Sequence, residues 1–331
     1  MAKTDDRQLS NIEIRGIPRR VYLIGIFVYA LVLGVVMFLR GGFIGPDTFL
    51  IFIVLLVVVL GQTRTFLIDW TPFVILFFGW QMLRGYADNV GAGYGFPLHN
   101  EDLVAAERWL FGGHLPNVVL QRALNYNPQV VRWYDALATF FWAFHFVLAL
   151  GFAFLLWVRS RSLYWRFVYA LLLLSTLGII TYVVYPAVPP WMASNPPEWL
   201  ANRVEKTIPE NIYLLRAWVP YQLGLGSNWS WIMANGNPNE TAAMPSLHAA
   251  YPTLIFVFSL IYWRKAAPFA LLYCLGLWFS IVYMGDHYVI DVLAGIVYAV
   301  VAFFALEGLY KWLARRRAAR ISRAFVVEEA S

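Results

Sequence analysis

Long hydrophobic runs separated by short basic loops are the feature that most restricts how this chain can fold. Of its 331 residues, 60% are hydrophobic and only 13% are charged, whereas soluble domains carry about 25% charged residues. Segments of about 20 apolar residues are long enough to cross a lipid bilayer as helices. The pattern therefore predicts an all-α, polytopic membrane protein and not a large soluble core.

Eight apolar segments are predicted to cross the membrane. In chain order they are Val21–Leu39, Thr48–Gln62, Phe66–Leu83, Tyr134–Val158, Phe167–Tyr185, Pro245–Trp263, Ala266–Met284 and His287–Leu309. An even number of spans places both termini on one side of the membrane, and the basic loops fall on that same side. Because Lys and Arg are in excess on the cytoplasmic side, we expect cytoplasmic termini in a plasma-membrane protein.

The polar segments divide the chain into parts. Residues 1–20 form a basic N-terminal segment, for which we expect cytoplasmic placement and no removable signal peptide. Residues 21–133 hold the first spans and short interfacial helices, and residues 134–311 form the membrane core. Within that core, residues 186–244 make a long outer loop rich in proline and tryptophan, which we expect to be an ordered cap at the membrane surface. Residues 312–331 form a cytoplasmic basic tail.

Charge and cysteine content exclude several classes of protein. The formal net charge is +6, but the basic residues flank apolar spans, where they set orientation, so we expect no nucleic-acid partner. Cys274 is the single cysteine and lies within an apolar run, which argues against an intrachain disulfide and a cysteine-ligated zinc site. We expect neither a metal nor a cofactor.

One candidate site lies in the sequence SIVYMGDHYVIDVLAG, residues 280–295. His287 and Asp291 are four residues apart and therefore share one face of a helix. A carboxylate one turn away can accept the N–H of one imidazole nitrogen and leave the other nitrogen to attack an electrophile or take a proton. Because a carboxylate within a membrane span is costly, we favour a functional role for this pair over mutual satisfaction at a helix end.

A second histidine, His248, follows Ser246 in AMPSLHAAYPTL, residues 243–254. Free N–H groups at the start of a helix bind anions, and Ser246 adds a hydroxyl donor. His248 precedes His287 by 39 residues, the length of a helical hairpin that crosses a bilayer and returns. The spacing predicts that both imidazoles meet Asp291 at the outer membrane face, which suits acid–base or nucleophilic chemistry.

These motifs carry a resemblance to a known family. MPSLHAA and YMGDHYVIDVLAG resemble the second and third signature motifs of the type 2 phosphatidic acid phosphatase superfamily. Within it, the PSLH and HYVID forms are most similar to the branch of the inositol phosphorylceramide synthases and their bacterial relatives. YPAVPPW, Tyr185–Trp191, resembles a segment that those relatives carry before the long outer loop. The resemblance covers the chain from Tyr134 onward.

The resemblance implies a core of six membrane helices and a lipid phosphotransferase or phosphatase. His287 would be the nucleophile that forms a phosphohistidine, and Asp291 would orient it. His248 would protonate the leaving group and later activate the acceptor, while Ser246 would hold phosphate oxygens. The implied partners are a lipid phosphate or phospholipid and the hydroxyl of a polyol, sugar or lipid, with no metal. We favour transfer to such a hydroxyl, with the active site on the extracytoplasmic side.

The chain departs from the superfamily pattern in its cations. Classical lipid phosphatases carry Lys and Arg in a first motif and an Arg after the serine of the third, where this chain has YPAVPP and Ile281. A phosphoryl group still needs positive partners, and the outer-side candidates are Arg84, Arg203, Lys206 and Arg216. We favour Arg84, at the outer end of the third span. The missing arginines fit a phosphodiester substrate or a transferase better than a broad monoester phosphatase.

Three further polar residues are candidates for substrate binding. His145 lies in the middle of the fourth span, where ionisable groups tend to face a cavity; a histidine bonded within the core is the alternative. Tyr283 and Asp286, both in the third motif, complete the candidate set.

Other functions stay open from the sequence alone. With water as the acceptor, the chain would be a lipid phosphate phosphatase. The same charges could instead form the binding site of a transporter or flippase of anionic lipids, and an inactive scaffold would need only the fold. We favour the enzyme, because both histidines stand at helix starts beside an orienting carboxylate, a geometry that transport does not require.

Overall fold

The computed structural model describes residues 50, 53, 54 and 57, then residues 63–124, 126–127, 129–222 and 241–329. The predicted span Val21–Leu39 and most of Thr48–Gln62 lie outside these residues. Over the described ranges the chain is helical, and its extended pairings are isolated bridges.

The helices are α1 (Thr63–Gly93), α2 (Glu101–Leu110), α3 (Pro116–Ala123), α4 (Trp133–Arg159), α5 (Arg161–Val184), α6 (Pro190–Ser194), α7 (Glu198–Ala201), α8 (Leu215–Gln222), α9 (Leu247–Tyr262), α10 (Ala267–Tyr283) and α11 (Val289–Glu329).

Two of the described helices are long and apolar enough to cross a membrane. They are α5 and the first part of α11, Val289–Ala319. A third is α4, if its halves Trp133–His145 and Val147–Arg159, which meet at 49°, form one bent span; α9 and α10 are apolar but shorter. The all-α class is therefore confirmed for the described residues, and the total of eight spans stays a prediction.

Helix α9 lies at the centre of the bundle. It packs against α4, α5, α10 and α11, and its residues are apolar on nearly every face, which is the pattern of a helix enclosed by neighbours. The side chains of Tyr251, Leu254 and Phe258 on this helix are fully or almost fully buried. The flanking helices add a second layer, since α1 packs on α5, α2 on α11, α3 on α10 and α8 on α4.

Ion pairs join the helices at the end of the bundle that lies far from the start of α11. Arg161, at the start of α5, donates from Nε to the buried carboxylate of Asp69 at 2.7 Å. Arg166 donates from Nη1 to Glu307 at 2.9 Å, and Glu307 lies about 27 Å along α11 from its first residue. Charged groups within apolar helices are stable when they are paired. These pairs fix α5 against α1 and α11 at one end, and the polar groups of the motifs lie at the other.

Candidate active site

Ser246 begins α9 and joins the two sequence motifs. Its Oγ accepts a hydrogen bond from the backbone N–H of Ala249 at 3.2 Å, which caps the first turn of the helix. Its own backbone N–H donates to the carbonyl oxygen of Asp291 at 3.0 Å. Ser246 was predicted to hold phosphate oxygens through its hydroxyl. Oγ here caps the helix, and its role on phosphate oxygens stays a prediction. The backbone N–H bonds the start of α9 directly to the first turn of α11.

Gly295 allows this close approach of α11 to α9. A Cβ added at Gly295 would lie 2.3 Å from the carbonyl oxygen of Ser246, which is far inside the van der Waals contact distance. The obstructing atom belongs to the backbone and cannot swing aside as a side chain does. A glycine is therefore required at this position if His248 and His287 are to be held as they are.

We expect a Gly295→Ala substitution to lower both stability and activity. Overpacking in a closely packed interior costs about 1–3 kcal/mol, and here the displacement would also move α11 away from Ser246. Gly308→Ala is the matched control, because Gly308 lies on the same helix with nothing within 4 Å of an added Cβ. Thermal melting of the purified variants should show a lower midpoint for Gly295→Ala and an unchanged or higher one for Gly308→Ala. Equal melting midpoints for the two variants would contradict this account.

His248 and His287 lie within hydrogen-bonding distance of each other. His248 Nδ1 is 3.0 Å from His287 Nε2, and His287 Nδ1 is 2.9 Å from the carbonyl oxygen of Ala243. A carbonyl can only accept, so these partners assign the proton of neutral His287 to Nδ1 and leave a lone pair on Nε2. That lone pair then accepts the N–H of His248. With this assignment, His287 has a lone pair on Nε2 and His248 has an N–H directed at it.

Asp291 lies beside His287, as the four-residue spacing predicts, and its role in orienting the imidazole stays a prediction. Its Oδ2 accepts a hydrogen bond from the backbone N–H of Tyr288 at 2.8 Å and lies 3.5 Å from His287 Nδ1. The carbonyl of Ala243 is therefore the closer acceptor for the imidazole N–H, and the carboxylate adds a nearby negative charge. The reason is local, because Asp291 sits in the first turn of α11 and caps the backbone that precedes it.

The segment Tyr185–Trp191 places the carbonyl of Ala243. Ala187 makes bridges to both His99 and Ala242, and the backbone N–H of Ala243 donates to the carbonyl oxygen of Ala187 at 3.1 Å. The short ladder fixes the backbone next to His287. This gives a physical role to YPAVPPW, which sequence analysis had noted only as a resemblance.

His145 and Trp142 lie beside His248. The ring centroids of His145 and His248 are 4.4 Å apart, and those of Trp142 and His248 are 5.8 Å apart. His145 is buried, and its Nδ1 is hydrogen-bonded to the carbonyl oxygen of Trp142 in the turn before it. The structure thus brings His145 to the paired histidines, while Trp142 is a residue that sequence analysis missed.

Arg216 places a buried cation next to the motif that carries His287. Its Nε donates to Asp286 Oδ1 at 2.7 Å, and the two side chains are only 7% and 6% exposed. The guanidinium also lies over the ring of Trp142, with Cζ 5.3 Å from the centroid. Asp286, a predicted substrate-binding residue, is therefore bonded to one of the four candidate cations.

The other candidate residues are placed differently. Arg203 and Lys206 are exposed. Arg84 lies in α1, and its side chain falls outside the described part of the structure. Tyr283 ends α10, and its hydroxyl donates to the buried carboxylate of Asp135 at 2.5 Å, so its polar group is bonded within the fold. The substrate-binding roles of Arg84 and Tyr283 stay predictions.

Glu107 is a second residue that sequence analysis missed. It lies on α2 and is fully buried, and its two carboxylate oxygens accept the backbone N–H groups of Val289 and Ile290 at 2.9 and 3.1 Å. These are the first N–H groups of α11, which have no partner within the helix. Glu107 therefore caps the helix that carries Asp291, from a position far away in the sequence.

The ionisation of Glu107 should make stability depend on pH. Burial raises the pKa of its carboxyl from 4.5 to about 7, the nearby Asp291 carboxylate adds to the rise, and the N–H groups of Val289 and Ile290 oppose it. Because the carboxyl ionises more easily in the unfolded chain, folding stability falls as the pH rises from about 4.5 to about 7. The Gln side chain in Glu107→Gln cannot ionise, so the folding stability of this variant does not fall with pH for this reason.

We therefore expect Glu107→Gln to be less stable than the wild type at pH 5 and to close that gap by pH 8. Melting midpoints of both proteins across this range measure the effect. Glu101→Gln, on the exposed side of the same helix, controls for the change of charge. Parallel curves for the wild type and Glu107→Gln would contradict the assignment.

No three His, Cys, Asp or Glu side chains are grouped so as to hold a metal ion in the described part of the chain. What the site offers is two imidazoles, a carboxylate and a buried guanidinium around the starts of α9 and α11. These groups can attack an electrophile, move a proton and stabilise negative charge.

The fold and the site define an all-α membrane protein whose paired histidines stand at the starts of two adjacent helices. The profile of the PAP2 superfamily, the type 2 phosphatidic acid phosphatases, matches residues 101–305. These residues contain α2 to α10, most of the apolar part of α11 and all of the site described above. The chain belongs to the PAP2 superfamily, as its motifs had suggested.

Two curated relatives are similar to part of the chain. The phosphoinositol dihydroceramide synthase of Bacteroides thetaiotaomicron is 32% identical over 157 residues, which are 46% of this chain and 49% of that protein. The inositol phosphorylceramide synthase catalytic subunit AUR1 of Saccharomyces cerevisiae is 30% identical over 142 residues, 39% of this chain and 31% of that protein. The chain thus spans about half of the length of the first relative and about a third of the length of the second. No solved structure matches it.

Proposed function

We propose that this chain is a membrane enzyme that transfers a phosphoryl group from a lipid-linked phosphoester through a phosphohistidine on His287. One observation carries the proposal: the hydrogen bond between His248 and His287, with Ala243 and Asp291 behind the second imidazole. The 3.0 Å distance between the two imidazoles supports a site in which both act on one phosphoryl group. Membership in the PAP2 superfamily and the two synthases among its relatives support the same chemistry.

In the first step, the Nε2 lone pair of His287 leaves its hydrogen bond with His248 and attacks phosphorus, and the bond from phosphorus to the leaving oxygen breaks. His248, as the imidazolium, gives one proton to that oxygen and becomes neutral, and the oxygen departs as an alcohol. In the second step, the acceptor hydroxyl gives a proton to His248 and its oxygen attacks the phosphohistidine. The bond from His287 to phosphorus breaks, and both histidines return to their starting state. Asp291 stabilises the positive charge that His287 acquires between the steps.

We infer that the acceptor is a hydroxyl of a polyol, sugar or lipid. Both relatives are synthases, and their names point to phosphoinositol and ceramide-type lipids. The absence of the superfamily's arginine at Ile281 supports a phosphodiester substrate. Hydrolysis by water is the alternative outcome, and the assay below separates it from transfer.

The proposed topology has eight spans in the plasma membrane, both termini in the cytoplasm and the site outside. Residues 134–311 form the catalytic core with the outer loop 186–244, residues 21–133 precede it, and residues 1–20 and 312–331 face the cytoplasm. The distribution of charge supports this topology, because the basic residues at the start of α5 and between α9 and α10 lie at the end of the bundle opposite the histidines.

The test is product analysis with the purified full-length chain in detergent. Lipid phosphates and phosphodiesters, phosphatidylinositol included, are incubated with and without inositol, sugar or dihydroceramide acceptors, and the products are identified by mass spectrometry. A headgroup moved to a hydroxyl supports transfer, and free phosphate supports hydrolysis. Lipid binding without any product would contradict the enzyme and favour a transporter of anionic lipids.

A further inference from the structure

A cation is missing from the place where the superfamily carries it. Ile281 occupies the position of the third-motif arginine, and it is fully buried among Leu277 and Val292 in an apolar cluster. A phosphoryl group in transfer concentrates negative charge on its oxygens, and positive donors that are already in place lower the barrier. Another residue must supply that charge if the proposed function is right.

We propose that Arg216 holds the oxygens of the transferring phosphoryl group and that Asp286 positions it. The inference rests on the proposed function, since it concerns the same site. Arg216 comes from α8, which lies in the outer segment between α5 and α9 and packs against α4. It therefore reaches the site from a different part of the chain than the arginine of the superfamily pattern.

Arg216 is connected to both histidines. Through Asp286 it is bonded to the residue that precedes His287, at a distance of 2.7 Å. Its Cζ also lies 5.3 Å from the ring centroid of Trp142, and that ring is 5.8 Å from the ring of His248, centroid to centroid. One residue therefore separates Arg216 from each histidine: Asp286 on the side of His287 and Trp142 on the side of His248.

Arg216 is buried beside its ion-pair partner Asp286, and its guanidinium carries more donors than that bond uses. Arginine is rarely as buried as this unless it is paired and fully hydrogen-bonded. Its guanidinium carries five N–H donors in a planar fork that matches phosphate oxygens, and the bond to Asp286 Oδ1 uses the one on Nε. We assign the remaining N–H groups of this fork to the oxygens of the phosphoryl group.

The exposed cations do not offer the same arrangement. Arg203 and Lys206 lie on the surface of the outer segment, where a charge is screened by water and contributes little. A buried guanidinium acts at low dielectric and is worth more to an anion. Arg216 therefore replaces the missing superfamily arginine better than either of these residues.

The test measures binding of orthovanadate, which mimics a phosphoryl group, by calorimetry with the purified full-length chain in detergent. Loss of a charge-assisted pair should weaken vanadate binding by about 10- to 100-fold in Arg216→Gln. Arg216→Lys, which keeps the charge and loses the fork, should fall between this variant and the wild type. Arg203→Gln, an arginine of the same outer segment, is the matched control and should bind as the wild type does.

A second variant guards against misfolding, because Arg216→Gln leaves the Asp286 carboxylate buried without its partner. Arg216→Gln combined with Asp286→Asn removes both charges together, and it should fold and still bind vanadate weakly. Wild-type affinity in either variant, or a wild type that turns over lipid and binds no vanadate, would overturn the inference. Vanadate binding that depends on Arg216, in a chain without turnover, would overturn the proposed function and leave the oxyanion site standing.

Discussion

Replacing His287 by asparagine is expected to lower turnover of the lipid phosphoester by at least about 1,000-fold. The Nε2 lone pair is the nucleophile in the proposed reaction, and asparagine has no nitrogen that can replace it. The melting midpoint should change little, because asparagine is polar and can still donate to the carbonyl of Ala243. His114→Asn, at an exposed histidine in the turn after α2, is the control and should keep full activity.

The same variant tests the covalent intermediate. With donor labelled at phosphorus, wild-type protein quenched in alkali should retain the label, since a phosphohistidine survives those conditions. His287→Asn should retain none. Turnover by His287→Asn near the wild-type rate, or equal labelling of the two proteins, would rule out a phosphohistidine at this residue.

Replacing His248 by glutamine is expected to cause the second large loss, and its size should depend on the leaving group. A general acid contributes about 10²–10⁴-fold, and it matters most when the leaving oxygen is strongly basic. The lipid substrate should therefore lose turnover by about that factor, whereas an aryl phosphoester with a weakly basic leaving group should lose much less. Steady-state rates for both substrates in the wild type and the variant measure the difference.

His145→Gln is the control for this experiment. It changes the ring that contacts His248 and keeps His248 itself, so any loss it causes should be similar for the two substrates. Equal losses for both leaving groups in His248→Gln would mean that His248 supports the site without giving a proton.

The sequence predicted the parts of this site that follow from helix geometry. The hairpin length between the histidines describes how far regular helices carry the chain. His287 and Asp291 are close, as predicted, but they do not share a helix, because His287 lies two residues before α11. The predicted spans Pro245–Trp263 and Ala266–Met284 agree with α9 and α10 to within two residues at each end. The bounds of these helices could be predicted because each is a regular helix formed by one continuous apolar segment.

The remaining parts depend on contacts between distant segments. Glu107 caps α11 across 182 residues, and in the sequence it is one acidic residue on an amphipathic helix. Arg216 could be named as one of four cations, but burial distinguishes it, and burial is a property of the packed chain. The carbonyl of Ala243 cannot be predicted from residue type, because every residue has a backbone carbonyl.

The backbone hydrogen bond from Ser246 to Asp291 and the close contact at Gly295 separate the alignment of the histidines from the choice of headgroup. The spacing of the two imidazoles is fixed where the main chain of one helix start contacts the main chain of the other. Side chains that contact a bound headgroup can therefore change while the reacting atoms keep their alignment.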